Sequence, residues 1–379
     1  MVARNDLPVR VDSPKKLQTW QIPAQRLDLG EGYKPSIARL PDGELIMVSL
    51  QQEGSTQDGT FTERMPVRRS RDNGDTWSEP QIAADVIGRE QWLTCTADGT
   101  LFITCHLLTQ DTSNEDGNVH SYLHRSTDRG HTWERTKVLL EGELRCGVPR
   151  ESGTHTSRNV VELDDGTLLL GVSMVASDVA YLWRSSDGGK TWDRSTRVEI
   201  GAYHGKPYDN FDGFFCEDFT YLSAGGRLFH WIRCGPPSPM YPIEDGRPIP
   251  AGNDNIDRSL ICHSNDGGLT WSDIRDFGDY GMHYARPLRL RDGRLLLTYT
   301  QRSTFYPLGL RAIISDDDGH TWDFSHDRIV IEGCTPWGGT SGGGFGNTLQ
   351  LDDGSLISCY SYTGAAGATR IETARWELP

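Results

Sequence analysis

The stretch SSDGGKTW at residues 185–192 decides how this chain folds, because its pattern recurs along the sequence. The pattern is Ser-x-Asp-x-Gly-x-Thr-Trp, called here the octapeptide. Its Asp can accept backbone N–H groups within its own turn, its Gly relieves a position with positive φ, and its Trp buries a large ring. Each copy therefore predicts a hairpin turn between two β-strands. Five copies are present, at 70–77, 126–133, 185–192, 264–271 and 315–322.

A second repeat alternates with the octapeptide and consists of two hydrophobic runs joined by a short turn. Asp-Gly or Gly-Gly between β-rich runs is a strong hairpin signal. The six turn centres are Asp42, Asp98, Asp165, Gly225, Asp292 and Asp353, and an octapeptide follows the first five. Each unit then holds four antiparallel strands, which is a β-propeller blade. The sequence predicts an all-β protein, a six-bladed β-propeller with four-stranded antiparallel blades.

The ends of the chain bear on how the ring closes. Too few residues follow Asp353 to complete a blade, and the segment 17–29 precedes the first hairpin without another partner. We therefore expect residues 1–379 to form one propeller domain, with the segment 17–29 supplying the missing strand of the last blade.

Composition excludes several classes of function. The formal net charge of −15 argues against binding to nucleic acid or to an anionic membrane. No apolar run reaches about 18 residues, and residues 1–14 lack the apolar core of a secretory signal. We expect a cytoplasmic protein, or a secreted one whose signal was removed.

The eight cysteines show no metal-ligand spacing, so we expect free thiols. Cys216 and Cys234 are symmetric about Gly225, and a disulfide bridge between them is the alternative. No metal or cofactor is expected.

The candidate site follows from the geometry of the hairpins. The first strand of each blade begins where the second ends, so these points gather at one end of the propeller, where a pocket forms. Eight residues before each turn centre lie Lys34, Glu90, Ser157, Glu217, Tyr284 and Phe345, called here the ring positions. Ionisable side chains at strand starts are a site hypothesis, and solvated strand ends are the alternative.

Octapeptide turns on a six-bladed propeller resemble the sialidase (neuraminidase) superfamily, in which they are called Asp boxes. The resemblance spans nearly the whole chain, but other glycosidases, glycan lyases and binding proteins also carry these turns. In blade four, Cys216-Glu217 followed by Trp231-Ile232-Arg233 matches the family layout. The resemblance implies that Glu217 polarises the nucleophile and that Arg233 grips the substrate carboxylate. A structural ion pair is the alternative.

Blade one departs from the family pattern. Lys34 stands where the family has an arginine, and a point-charge ammonium does not reproduce a bidentate fork. The family's acid/base aspartate lies between the second and third strands of this blade. Asp58 is in that loop, with Glu53 and Glu63 as competitors.

Blades five and six also depart. The family's nucleophilic tyrosine is expected near Phe345, which has no oxygen. The tyrosines that could replace it are Tyr284, Tyr360 and Tyr362. The third substrate arginine of the family corresponds to Arg302 or Arg311.

These residues predict a sialidase-like glycoside hydrolase that acts on a terminal, acidic sugar, with Asp58 as acid and Glu217 as base. The alternative is a uronate lyase, in which His155 or His283 abstracts a proton and Tyr284 is the acid. A catalytically inactive carbohydrate-binding propeller is the third hypothesis. The residues expected to bind the substrate are Lys34, Glu90, His155, Arg158, Arg233, Arg286, Arg302 and Arg311.

Overall fold

The structure is a computed structural model of the chain. It describes residues 8–55, 59–115, 117, 119–139, 153–174, 179–208, 213–235, 257–303, 305–333, 343–344, 346–363 and 368–378. Over these residues the regular structure is β, apart from one 3₁₀ helix, Phe324–His326. None of the helical structure in these ranges is long and apolar enough to cross a membrane.

The strands are short and follow one another along the whole chain. Those of the first half are β1 (Arg10–Asp12), β2 (Ala24–Glu31), β3 (Tyr33–Arg39), β4 (Leu45–Ser55), β5 (Thr60–Arg64), β6 (Pro66–Ser70), β7 (Gln81–Ile82), β8 (Arg89–Cys95), β9 (Leu101–Leu107), β10 (His120–Ser126), β11 (Glu134–Val138), β12 (Thr154–Thr156), β13 (Val161–Glu162), β14 (Leu168–Met174) and β15 (Ala180–Ser185). Those of the second half are β16 (Phe219–Leu222), β17 (Leu228–Cys234), β18 (Arg258–Ser264), β19 (Arg275–Asp276), β20 (Met282–Arg289), β21 (Leu295–Gln301), β22 (Gly309–Ser315), β23 (Thr321–Asp323), β24 (Arg328–Glu332), β25 (Thr348–Gln350), β26 (Leu356–Thr363) and β27 (Thr369–Trp376).

Six antiparallel sheets confirm the predicted six-bladed propeller. Blade one is β3-β4-β6-β7 with β5 added to β4, blade two is β8 to β11, and blade four is β16 to β19. In blade three the inner strand is split into β12 and β13, which both pair with β14, and β15 follows. Blade five is β20-β21-β22-β24. Each blade buries one apolar face against the next, because a sheet of this size is not stable alone.

Blade six takes a strand from the other end of the chain. Its order is β25-β26-β27-β2, and β2 runs antiparallel to β27 with Ala24 opposite Trp376. The residues before β2 lie beside blade five instead. Gln18 N–H donates to Asp327 Oδ1 at 2.8 Å, and Gln21 forms a parallel bridge with Ile329. The paired strand is therefore 24–31, later in the chain than the expected segment 17–29.

The octapeptide turns are held by their own side chains. In the first copy, Ser70 Oγ donates to Asp72 Oδ1 at 2.7 Å, and the Gly74 N–H donates to Ser70 Oγ at 2.8 Å. The Thr76 hydroxyl donates to Asp72 Oδ2 at 2.5 Å. Hydrogen bonds from the Thr76 hydroxyl, the Thr76 N–H and the Ser70 hydroxyl lower the pKa of Asp72 to about 2. The carboxylate is thus fully used within its turn, as the pattern predicted.

The five tryptophans of the octapeptides are not equally buried. Trp322 has no exposed surface, and Trp271 and Trp133 are buried, whereas Trp77 and Trp192 are half-buried. Trp322 packs edge-to-face on Trp231 and Phe277, and its indole N–H donates to the Gly319 carbonyl at 2.9 Å. The contribution of this ring to stability therefore depends on the blade.

We expect Trp322→Ala to destabilise the protein by about 3–5 kcal/mol, because it opens a cavity in a close-packed aromatic cluster. Trp77→Ala should cost less. Trp20→Ala is the control, since Trp20 is 56% exposed. Urea unfolding of the three variants measures the difference. A Trp322→Ala protein as stable as Trp20→Ala would contradict the structural role of the octapeptide.

Candidate functional site

The inner strands surround the propeller axis and begin at one end of it. β3 packs against β8 and β25, and β20 packs against β16 and β25. At four of the predicted ring positions the backbone has positive φ, although none of these residues is glycine. The angles are 47° at Lys34, 58° at Glu90, 52° at Glu217 and 55° at Tyr284.

Three of these positions are β-bulges, because the pairing register of β3, β8 and β20 shifts there. A left-handed residue with a side chain carries a steric cost of about 1–3 kcal/mol, and such residues persist only where their surroundings hold them. The same strained conformation at the same point of four blades indicates a required geometry. It marks this end of the axis as the candidate site.

Four charged side chains from four blades form a closed network at this end. Arg158 Nη2 lies 2.5 Å from Glu90 Oε2 and 2.7 Å from Glu217 Oε1. Lys34 Nζ donates to Glu90 Oε1 and lies 3.9 Å from Glu217 Oε1. Cations and carboxylates therefore alternate around the axis, and each neutralises its neighbours.

Two further pairs extend this network along blade four. Arg233, at the end of β17, contacts Glu217 Oε2, and its Nε lies 2.7 Å from Asp257 Oδ2. Asp257 lies 3.8 Å from His283 Nε2 at the start of β20. The predicted proximity of Glu217 and Arg233 is thus observed. We call Lys34, Glu90, Arg158, Glu217, Arg233 and Asp257 the axial network, in which three cations face three carboxylates.

Burial and charge shift the protonation of two members of the axial network. Burial alone would raise the pKa of Glu90, but the charges of Lys34 and Arg158 hold it well below its usual range. Burial lowers the pKa of Lys34 to about 7, against the opposing effect of Glu90. Glu90 is therefore ionised at neutral pH, whereas Lys34 can exchange a proton there.

Arg286 lies close to three aromatic rings beside the axial network. Its guanidinium lies 4.6 Å from the Trp92 ring centroid, 5.6 Å from that of Phe219 and 5.3 Å from that of Tyr284. These groups come from blades two, four and five, so they close the axis. Burial and then the charge of Arg158 lower the pKa of Arg286 to about 9. Within the part of the chain that the structure describes, no carboxylate lies at ion-pair distance from Arg286.

Two other predicted residues also lie at this end. Arg302 Nη2 donates to the Gly343 carbonyl at 2.6 Å, and its guanidinium lies 5.5 Å from the Tyr284 ring. His155 Nδ1 lies 3.3 Å from Cys216 Sγ. His155 also lines a small recess with a cavity volume of about 10 Å³, together with Glu90, Thr104, Cys105, His106, Ser121, Thr156, Arg158 and Glu217.

Arg311 and the two alternative tyrosines lie away from the axial network. Arg311, on the third strand of blade five, pairs with Asp327 and donates to the Pro307 carbonyl at 3.1 Å. Both of these contacts of Arg311 are made within blade five and are structural ones. The Tyr360 hydroxyl donates to Glu372 within blade six, and the Tyr362 ring packs with Arg26 from β2. Asp58 and Phe345 lie outside the described residues.

The two competitors of Asp58 have opposite environments. Glu53 is exposed and pairs with Arg64 at 3.1 Å. Glu63 has no exposed side-chain surface, and its Oε1 lies 3.6 Å from Arg89 Nη1. Neither carboxylate oxygen of Glu63 has a hydrogen-bond partner, and burial raises its pKa to about 7.

Sequence reasoning missed Asp257, Arg89, Trp92 and Phe219. A signal existed for Asp257, since it directly precedes the strand that pairs with β17, where Ser259 faces Arg233.

Cys216 and Cys234 are free thiols. Across the described ranges, no group of three or more His, Cys, Asp or Glu side chains is arranged to hold a metal ion.

Comparison with known proteins agrees with this architecture. A profile of the BNR repeat-like domain matches residues 93–327. A protein of unknown function from Dyadobacter fermentans has a TM-score of 0.67 and 21% identity, covering 98% of each chain. The NanB sialidase of Streptococcus pneumoniae has a TM-score of 0.61 and 12% identity, covering 98% of this chain and 71% of that one.

An α-L-arabinanase of Penicillium chrysogenum, solved with arabinobiose, has a TM-score of 0.56 and 14% identity, covering 95% of this chain and 99% of that one. A search of curated protein sequences gave no match. At these identities the similarity shows the fold. The predicted resemblance to sialidase-like propellers is confirmed at that level.

We expect Arg158→Met to destabilise the protein by about 3–5 kcal/mol, because it leaves Glu90 and Glu217 buried with one fewer cation. Arg370→Met is the matched control, since Arg370 pairs with Asp28 at the surface and should contribute little. Chemical unfolding of both variants measures the difference. Equal losses would show that the axial network does not hold the blades together.

Proposed function

Because this chain belongs to the family of BNR repeat-like domains, we propose that it is a glycoside hydrolase that removes a terminal acidic sugar from a glycan. The observation that carries the proposal is the approach of Glu90 and Glu217 to one guanidinium, at the end of the axis where the inner strands begin. Ionised carboxylates placed there stabilise the oxocarbenium-like transition state of glycoside cleavage.

The spacing of the two carboxylates supports retention of configuration. Glu90 Oε2 and Glu217 Oε1 lie 2.5 and 2.7 Å from the same nitrogen, so they are at most 5.2 Å apart. This separation is shorter than the spacing of about 6.5–9.5 Å that inverting enzymes need for a water molecule between their carboxyl groups. In this proposal one of the two carboxylates attacks the anomeric carbon, and water then releases the sugar.

The environment of Arg286 favours a substrate whose sugar carries a carboxylate. Arg158 and Arg233 already contact carboxylates of the protein. Arg286 is stacked on aromatic rings, and among the described residues its guanidinium donates a hydrogen bond only to the Ala285 carbonyl. A buried cation without a counter-charge is costly, and a carboxylate on the ligand would offset that cost.

A panel of aryl glycosides and uronate oligosaccharides tests the proposal. We expect free sugar with retained anomeric configuration, read by NMR, and no absorbance from an unsaturated product. An unsaturated product would instead support the lyase hypothesis. His283 is poorly placed for that reaction, because its side chain has no exposed surface. Glycan binding without turnover would support an inactive binding propeller.

We expect Glu217→Gln to lower turnover by about 10²-fold or more while the protein stays folded, because the amide keeps the shape and removes the charge. Glu162→Gln is the control. Glu162 lies at the other end of the blade-three inner strand, where its carboxylate accepts the Ala97 N–H at 2.8 Å. Normal turnover in Glu217→Gln, with melting temperature measured on the same sample, would remove Glu217 from the mechanism.

We expect slow cleavage of an aryl sialoside, because Lys34 and Phe345 stand where sialidases carry Arg and Tyr. Initial rates on an aryl sialoside and on the acidic substrate identified by the panel give the comparison. Rapid sialoside cleavage that is abolished by Tyr284→Phe would show that Tyr284 supplies a sialidase-type nucleophile.

A further inference from the structure

Two carboxylates of the axial network are each flanked by two cations. Glu217 lies between Arg158 and Arg233, and Glu90 lies between Arg158 and Lys34. Opposite charges at this distance favour the charged form of a carboxylate, and guanidinium groups do not release protons near neutral pH. Neither carboxylate is therefore suited to carry a proton to a leaving group.

We infer that Lys34 is the proton-exchanging residue of this site, an inference that rests on the proposed hydrolase function. Lys34 is 5% exposed, and its ammonium lies between Glu90 and Glu217 at the ring. Of the cations in the axial network, it is the one whose proton can leave. Its backbone has a φ of 47°, so it is one of the four left-handed ring positions.

In the proposed reaction, Lys34 gives up one proton and later receives one from water. As the glycosidic C–O bond breaks, its electron pair stays on the leaving oxygen, which takes a proton from the Lys34 ammonium. The attacking carboxylate loses its negative charge when it bonds to the anomeric carbon, while Lys34 loses its positive charge. The net charge of the buried network is therefore unchanged. When water attacks the covalent intermediate, its proton returns to the Lys34 amine and the carboxylate is released.

The groups that face Lys34 come from five elements. They are Tyr33 on its own strand, Glu63 on β5, Arg89 and Glu90 on β8, Arg158 after β12, and Glu217 before β16. Burial is the main cause that lowers the pKa of Lys34 to about 7, and Arg158 and Arg89 act in the same direction. An acid–base group works best when its pKa lies near the working pH.

Glu63 is the competing proton carrier of the described site. Its pKa is also raised to about 7 by burial. However, its side chain has no exposed surface and its nearest charged partner is Arg89, at 3.6 Å. Its side chain is also less exposed than the Lys34 side chain, which is 7% exposed, so Glu63 serves as the control residue.

The experiment compares Lys34→Arg with Glu63→Gln. Lys34→Arg keeps the positive charge and restores the family residue, but it cannot release a proton. We expect turnover to fall by about 10²-fold or more. In the wild type, activity requires protonated Lys34, so it should decline as the pH rises through about 7. This alkaline decline should be absent from the residual activity of Lys34→Arg and present in Glu63→Gln. An active Lys34→Arg enzyme, or loss of the decline in Glu63→Gln instead, would overturn the inference.

A second measurement does not depend on catalysis. The side-chain ammonium groups of ¹⁵N-labelled lysines are titrated by NMR, and the Lys34 signal is assigned by its absence from Lys34→Arg, or from Lys34→Gln if the arginine variant fails to fold. We expect a midpoint near pH 7. An ammonium that stays protonated to about pH 10, the ordinary lysine value, would overturn the inference even if sugar is released. A titrating Lys34 without any hydrolysis would refute the proposed function and leave proton exchange at Lys34 standing.

Discussion

One guanidinium nitrogen holds two blades' carboxylates together at the centre of this molecule. Arg158 Nη2 contacts Glu90 and Glu217, which lie on the inner edges of blades two and four. Burying such charges is expensive unless each is paired, so every blade that brings a carboxylate to the axis must meet a cation from another. The alternation of charges therefore links the inner edges of blades one to four at the axis.

The axial network and the strained backbone depend on each other. Lys34, Glu90 and Glu217 adopt left-handed conformations that cost free energy in isolation. Their side chains reach the axis because of those conformations, and the ion pairs formed there stabilise them. A site built in this way is preorganised, because its charges are fixed before a ligand arrives.

The blades were predictable because the signals that define them are local. The octapeptide and the Asp-Gly turns each specify a hairpin within a few residues, and counting from the turns located Lys34, Glu90, Glu217 and Tyr284 at the ring. Contacts between distant segments were not predictable in this way. Arg311 was expected to bind substrate, but residues before β2 and Asp327 surround it. Asp257 was missed because it follows a long insertion, where counting from a turn loses the register.

The closure of blade six by β2 has a consequence for how the protein is made and how it resists force. β2 and β27 lie near opposite ends of the sequence, so among the described strands their pairing joins the residues farthest apart along the chain. Contacts of this kind form late, because the entropy of closing the whole loop opposes them. On the ribosome, β2 must wait, as an unpaired and aggregation-prone edge, until nearly the entire polypeptide has emerged. A pulling force applied at the N-terminal segment would first load the contacts that β1 and residues 18–22 make with blade five, and then the β2–β27 ladder.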